Sequence, residues 1–464
     1  MTLTPAPFTP DTAAIRFGTG LSPQLSAPQS VAAMLSDLSG PDTIGDRFPV
    51  PVFEDLIPTL TEIGRLQRIK RRQKGTEAAK SANKSIRKLK QKARSDQAEW
   101  LSQAVARSVF TSDGFRERLA RFWADHFTVE GKAGVLRGAA STYVEEAIRP
   151  NLTGAFARLM TAAVTHPMML IYLDQYNSAG PGSPLARRKG RGINENLARE
   201  VLELHSLGVD GGYTQRDVSE LAELLTGMSF NRLDGFVFRP DMAEPGAETV
   251  LGRSYGGAVP DMEDIRRFLS DLSLQPQTAR HIAWKLARHF VSDTPDPTLV
   301  RSMAASFLAS GGDLMALYSA MLSNPRSWAG ADQKIKQPFG FVTSALRAIG
   351  MEDRRLTALK PKEIGLYLAL PLRTMGQAWE DPTGPDGWPE EGAAWITPQG
   401  VAGRIQWAMA VPRVLRPKLP DPRALVDVAL GDRAGEDIRF AAQGAETKWE
   451  GVGLVLSSPA FQRR

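Results

Sequence analysis

A mainly α-helical protein, an array of many helices in orthogonal or bundle-like packing, is the fold class this chain predicts. Three observations carry that expectation. Apolar residues recur at three- and four-residue steps through most of the 464 residues. One stretch, SFNRLDGFVFRP (Ser229 to Pro240), alternates instead, about an Asp-Gly turn, as a small β-hairpin does. A long Pro/Gly/Trp loop, EDPTGPDGWPEEGAAWITPQG (Glu380 to Gly400), interrupts the helices toward the C-terminal end, and loops of that length inside compact proteins are often functional.

In chain order, residues 1–60 hold a short helix, Ser30 to Leu38, between Pro-rich stretches, and residues 61–99 form a basic helical arm broken near Gly75. Residues 100–260 make a helical core with a polar centre and the hairpin. There FRERLARFWADHF sets Phe115, Leu119, Phe122, Trp123 and Phe127 on one stripe, and Ile193, Leu197, Val201, Leu204 and Leu207 form the apolar arc of the central helix. Gly208 stops that helix, Gly211 and Gly212 supply positive φ, and Thr214 with Asp217 reads as a capping box, so an antiparallel helical hairpin follows. ETVLGRSYGG adds a further short strand. Residues 261–464 return to helices, from IRRFLSDL to FVTSALRAIG, and then carry the tryptophan loop.

Composition bounds the function classes. The chain has no cysteine, which removes disulfides, thiolate zinc sites and a cysteine nucleophile. No apolar run reaches the length of a membrane span, and the first residues show neither a basic start nor an apolar leader. A cytoplasmic location is the default expectation, with export alongside a signal-bearing partner left open. The net charge of +6 comes from one segment: Arg65 to Arg94 holds thirteen Lys or Arg against Glu77 alone, a balance of +12 that leaves −6 for the remainder. That arm reads as a solvated helical excursion, or as a contact surface for phosphate, nucleic acid or an acidic protein. No aromatic residue interleaves its charges for base stacking, so a protein partner ranks above nucleic acid.

The polar centre holds the chemistry-bearing residues. Glu195, Arg199 and Glu203 step along one face of the central helix as an ion-paired ladder. Glu200 lies at the edge of the apolar arc, with Asn196 a turn before it and Glu203 three residues after, and His205 intrudes at the other edge. His126 sits in the middle of its own apolar stripe, and Asp217 is expected to meet His205 across the hairpin turn. Inward ionisable groups cost several kcal/mol unless they pair. Two outcomes stay open. His126, Glu200, Glu203 and Asp217 form an acid/base site, with His126, Glu200 and Glu203 as ligands of a divalent metal; or these residues, with Asn194, Asn196, Arg199 and His205 and with Arg149 as a neutralising charge, form a buried network that fixes helix register.

Two further features complete the inventory. Arg187, Arg188, Lys189 and Arg191 cluster in a glycine-containing loop before the central helix, the ingredients of an anion site without the spacing of a nucleotide fingerprint. Trp379, Trp388 and Trp395 either form a platform for a ligand or pin the long loop to the core. His166 and His289 read as capping or core hydrogen-bonding residues.

The runs FWADHF (Phe122 to Phe127), HPMMLIYLD (His166 to Asp174), GINENLAREVLELHSLGVDGGYTQRDVSELAELLTG (Gly192 to Gly227) and GWPEEGAAW (Gly387 to Trp395) resemble the recurrent blocks of a bacterial family called domain of unknown function 1800. The resemblance implies a predominantly helical protein with no assigned activity, often encoded beside a sulfatase-like family. Where such proteins carry His-Asp or His-Glu and then Gly and Lys after the hairpin, this chain has MAEPGAETVLG, Met242 to Gly252, without histidine or lysine. Two functions are therefore carried forward: an interaction scaffold for a sulfatase-like partner, using the basic arm and the tryptophan loop, and a metal-assisted or acid/base hydrolase acting on an anionic substrate.

Overall fold

The computed structural model describes residues 6–132, 134–330 and 334–464. The fold is mainly helical, as the periodicity predicts, with two small antiparallel two-stranded sheets among the described residues. Beyond the helical turns at residues 10–17 comes α1 (Val31–Ser39), which Ser30 caps by accepting from Ala33 N–H, and later the chain builds the basic hairpin from α2 (Ile57–Arg72) and α3 (Glu77–Phe110). Gly75 turns the corner at φ +88°, and Leu66, Ala82 and Ile86 close a narrow apolar seam between the two helices. The other faces of this hairpin are charged and exposed. Further along, α3 changes character: Leu101, Val105, Ala106 and Val109 are buried, so one helix runs from solvent into the interior.

Next come α4 (Gly114–His126), α5 (Phe156–Thr165) and α6 (Pro167–Tyr172), then the central pair α7 (Asn196–Glu203) and α8 (Gln215–Leu224). The capping box expected of Thr214 and Asp217 is present. Strands β1 (Met228–Asn231) and β2 (Gly235–Phe238) pair as the Asp-Gly turn predicts, with Met228 opposite Phe238. The single further strand expected at Glu248 to Gly257 is instead a hairpin: β3 (Gly246–Val250) and β4 (Arg253–Gly257) pair with each other, turning through Leu251 and Gly252, both at positive φ. Four helices follow, α9 (Met262–Ser273), α10 (Pro276–Phe290), α11 (Pro297–Ala309) and α12 (Leu314–Ser323). After them come α13 (Pro338–Ala348), the long loop, and α14 (Pro398–Leu415), α15 (Pro422–Leu430), α16 (Glu436–Gly444) and α17 (Lys448–Ser457).

Side chains gather into two main apolar cores. The larger contains Phe115, Leu119 and Trp123 of α4, Leu197 and Val201 of α7, and Leu286 and Phe290 of α10. The second joins the inner half of α3 to α13, α14, α15 and α17 through Leu101, Val105, Phe341, Leu346 and Val455. Consecutive helices α3 and α4 therefore belong to different cores, and polar side chains that point away from each core meet at the seam between them. Among the described residues no helix is long and apolar enough to cross a membrane.

Candidate active site

Helix α4 places the central groups. Its apolar stripe enters the first core, where Trp123 Nε1 donates to the Tyr318 hydroxyl at 2.6 Å and that hydroxyl donates to Leu152 O at 3.1 Å. Glu117, Arg121 and Asp125 follow at four-residue steps on a different face, and all three line a cavity of about 160 Å³ at the seam. Arg107 of α3, Ser141 and Arg149, and then Trp379, Glu380 and Trp388 of the long loop supply much of the remaining wall.

Two arginines of the cavity wall make three ion pairs. Arg107 grips Glu145 with two bonds, at 2.5 and 3.0 Å, and Arg149 bridges Glu117 at 2.9 Å and Asp42 at 2.7 Å. Bidentate, buried pairs of this kind fix geometry more than they add stability. Arg121 is different. Its guanidinium lies 3.5 Å from the centroid of the Phe339 ring and makes no hydrogen bond among the described residues. Burial pulls it down to about 10, opposed by Asp125 and Glu117, so it is charged at neutral pH.

The two carboxyls on the wall behave unlike surface acids. Burial pushes Asp125 up to about 7, reinforced by the charge of Glu390 and opposed by the Trp388 N–H that its Oδ1 accepts at 3.0 Å. Burial pushes Glu380 up to about 8, opposed by its hydrogen bond from Ser141. Glu380 Oε1 accepts from the Ser141 hydroxyl, while Oε2 is sealed from solvent without a partner, as is the neighbouring Trp379 Nε1. Glu380 also sits at φ +54°, a left-handed conformation that costs a non-glycine residue about 1–3 kcal/mol and concentrates at functional sites.

The loop over this cavity is tied to the first core by charge. Glu390 Oε1 meets His289 Nδ1 at 2.5 Å, His289 Nε2 meets Arg118 at 2.9 Å, and Lys334 Nζ donates to Asp293 and to Glu390 O, both at 2.6 Å. Although burial works against it, the hydrogen bond from His289 and the charges of Lys334 and Arg464 hold Glu390 far below the usual carboxylate range. Gly387 is required where it stands: at φ +80°, a Cβ there would lie 2.7 Å from Asp125 Oδ1. Trp395 is 2 % exposed and donates to Pro389 O at 3.0 Å, so it pins the loop. Trp388 packs against it with ring centroids 6.2 Å apart and faces the cavity.

The residues singled out by spacing fall into separate groups. His126 is 2 % exposed, and its Nε2 bonds His205 O at 3.2 Å; His281 bonds the adjacent Leu204 O at 3.3 Å. Both imidazoles thus satisfy carbonyls at the end of α7, a capping task. Burial, with the charge of Lys285, holds His126 and His205 well below the ordinary histidine range, His205 at about 3, so both are neutral. Glu200 is pushed up to about 7 by burial, then by Glu203 and Asp386. It does not touch His126, and among the described residues no group of three or more His, Asp or Glu is arranged to hold a metal ion. Arg199 makes the expected ladder, 3.3 Å from Glu203 and 3.5 Å from Glu195. Asn194 caps α7 through Asn196 N at 3.0 Å and donates to Leu173 O at 2.7 Å, while Asn196 itself is exposed.

Asp217 does not meet His205. Its carboxylate accepts from Thr214 N at 2.8 Å and from Leu251 N at 2.7 Å, joining α8 to the second hairpin. Arg149, expected to neutralise the central carboxylates, instead serves Glu117 and Asp42. Arg187, Arg188, Lys189 and Arg191 are all exposed, the first three in the last turn of a short helix, Pro184–Lys189, where cations complement the dipole. His166 caps α6, its Nδ1 accepting from Met168 N at 3.1 Å.

Asp125, Arg121, Glu380 and Glu390 were not legible as a site. On α4 the polar residues read as a solvated face, and nothing in the sequence says that the second core covers it. The one available signal was the length of the loop that carries both glutamates.

A mainly helical protein whose ionisable cavity lies between two cores, beneath a tryptophan-bearing loop, is the class that fold and site define. The family described as "Protein of unknown function (DUF1800)" matches residues 12–463, and the chain belongs to it. No curated protein and no solved structure matches the chain.

Proposed function

We propose that this protein is an acid–base catalyst that hydrolyses a small anionic substrate in the cavity between its two cores. The observation that carries the reading is that Asp125 and Glu380 line the same cavity, each with its proton balanced near neutral pH. Two carboxyls tuned in this way supply a base and an acid at once. Asp125 takes a proton from water as that water attacks, and protonated Glu380 gives its proton to the leaving group. Arg121, flat on Phe339 with its donors unspent, recognises the negative group. The strained backbone at Glu380 and its unpartnered oxygen support the assignment.

The test is turnover of p-nitrophenyl phosphate, p-nitrophenyl sulfate and p-nitrophenyl acetate by the purified chain and three variants. The reading expects one ester to be cleaved, Asp125→Asn and Glu380→Gln to lose about 10²–10⁴-fold in kcat, and Arg121→Leu to raise KM for a charged ester. Cleavage untouched by both carboxyl variants, or no cleavage of any ester, overturns it.

A second reading, docking of a sulfatase-like protein, is supported by the exposed apolar pairs Leu366 with Leu370 and Val401 with Ile405, each one helical turn apart, and by the basic hairpin of α2 and α3. Co-purification of the two proteins at stoichiometric ratio, lost on Val401→Glu, is its test; independent migration at micromolar concentration refutes it.

A further inference from the structure

Behind the Arg121–Phe339 stack lies a second, smaller cavity of about 30 Å³, which the acid–base reading does not use. Its lining includes Arg118, Arg121 and Arg464, the hydroxyl-bearing Thr19, and His289. Arg118 and Arg464 are 8 % and 4 % exposed. Arg118 spends its donors on neutral groups, the carbonyls of Arg16 and Gly18 at 3.4 Å and the His289 ring at 2.9 Å. Arg464 donates to His289 O at 3.1 Å, and its Nε is buried without a partner. Thr19 is 8 % exposed, and its hydroxyl too is buried without a partner.

Buried guanidiniums are almost always matched by a carboxylate, because an unmatched one costs several kcal/mol. Here the match is missing. Among the described residues no carboxylate oxygen lies within ion-pair distance of Arg118, Arg121 or Arg464. The acid that most influences Arg464 is Glu390, and its two oxygens are already engaged by His289 Nδ1 at 2.5 Å and Lys334 Nζ at 3.4 Å. Asp293 is likewise taken by Lys334 at 2.6 Å. Among the described residues, then, these guanidiniums have no carboxylate paired to them, and beside them is a hole, walled by those cations and an idle hydroxyl.

We infer that this small cavity is a binding site for a monovalent halide, chloride in the cell, held by Arg118, Arg464 and Thr19 with Arg121 at its edge. The cavity, about 30 Å³ against about 160 Å³ for the first, has room for an ordered water or a compact anion. The chemistry agrees, since a halide accepts several N–H and O–H donors at once without imposing a direction. Its charge would pair with those guanidiniums, and it would fasten α4 to the 334–464 segment.

Thermal unfolding of the full chain in sodium chloride against sodium gluconate, at matched ionic strength, tests the site. The expected result is a saturable rise in Tm of about 2–3 °C at saturating chloride, reproduced by bromide. Thr19→Val, which keeps size and folding, should require roughly tenfold more chloride for the same rise, the worth of about one hydrogen bond. Crystals soaked in bromide should show an anomalous peak between Arg118 and Arg464. Asp125→Asn and Glu380→Gln should keep the chloride response, so its failure is separable from failure of the hydrolytic reading. Equal Tm in chloride and gluconate with no bromide peak overturns the inference. So does a rise that sulfate reproduces, or one that Thr19→Val leaves unmoved.

Discussion

Glu380→Gln tests whether the cavity stores a proton near neutral pH. In the unfolded chain this carboxyl releases its proton at the ordinary value near 4.5, whereas burial in the folded chain delays release to about 8. Across that interval the folded state binds more protons than the unfolded state, so stability falls as pH rises. The contribution is fully present below 4.5 and lost once pH passes 8. Each pH unit is worth about 1.4 kcal/mol, so the whole interval amounts to roughly 5 kcal/mol, an upper bound because water that enters the cavity would soften it. Glutamine keeps the shape and cannot ionise. The variant is therefore expected to gain on the wild type by up to about 5 kcal/mol between pH 4.5 and pH 9. Urea unfolding midpoints of both chains, measured at half-unit pH steps, give the difference directly, and the other titrating groups cancel in it. Parallel pH profiles, or a variant that loses ground as pH rises, would refute the claim that the Glu380 carboxyl is closed off from water.

The same reasoning gives three shorter expectations. Gly387→Ala places a Cβ at φ +80° and 2.7 Å from Asp125 Oδ1, so it should cost more than about 1 kcal/mol and release the Trp388–Asp125 bond, seen as altered tryptophan fluorescence; an unchanged midpoint and spectrum would contradict this. Tyr318→Phe strands the Trp123 indole N–H in the first core and should cost about 1–3 kcal/mol by denaturant titration. His126→Leu removes a donor from the last turn of α7 and should cost a similar about 1–3 kcal/mol while leaving ester turnover measurable; abolished turnover in a fully folded variant would return His126 to the catalytic list.

Much of the fold was legible because local physics decides it. The capping box of Thr214 and Asp217, the Asp-Gly hairpin and the Gly75 corner each follow from residues within a few positions of one another. The second hairpin was half legible. Glu248 to Gly257 reads as one short strand, but the run folds back on itself at Leu251 and Gly252 and so holds most of β3 as well as β4. What no local pattern reveals is which polar face a distant segment will cover. Glu117, Arg121 and Asp125 satisfy every sequence criterion for a solvated stripe, and they line a cavity only because α13 and the long loop lie over them.

The polar centre of α7 shows the converse. His126 is buried as its apolar stripe requires, yet burial alone does not make a site. An imidazole held neutral, with its Nε2 on a carbonyl at a helix end, has one nitrogen spent and the other, Nδ1, buried without a partner. Asp217 is spent on Thr214 and Leu251. At the seam the groups with capacity left over that also line a cavity include Glu380 with one oxygen idle, Arg121 with no hydrogen bond, and Thr19 and Arg464 around a hole. Spacing finds groups that point inward, and only an account of which donors and acceptors remain unused separates those that hold the protein together from those able to act on something else. By that criterion the seam between the two cores, rather than the interior of the first, is where a ligand of this protein belongs.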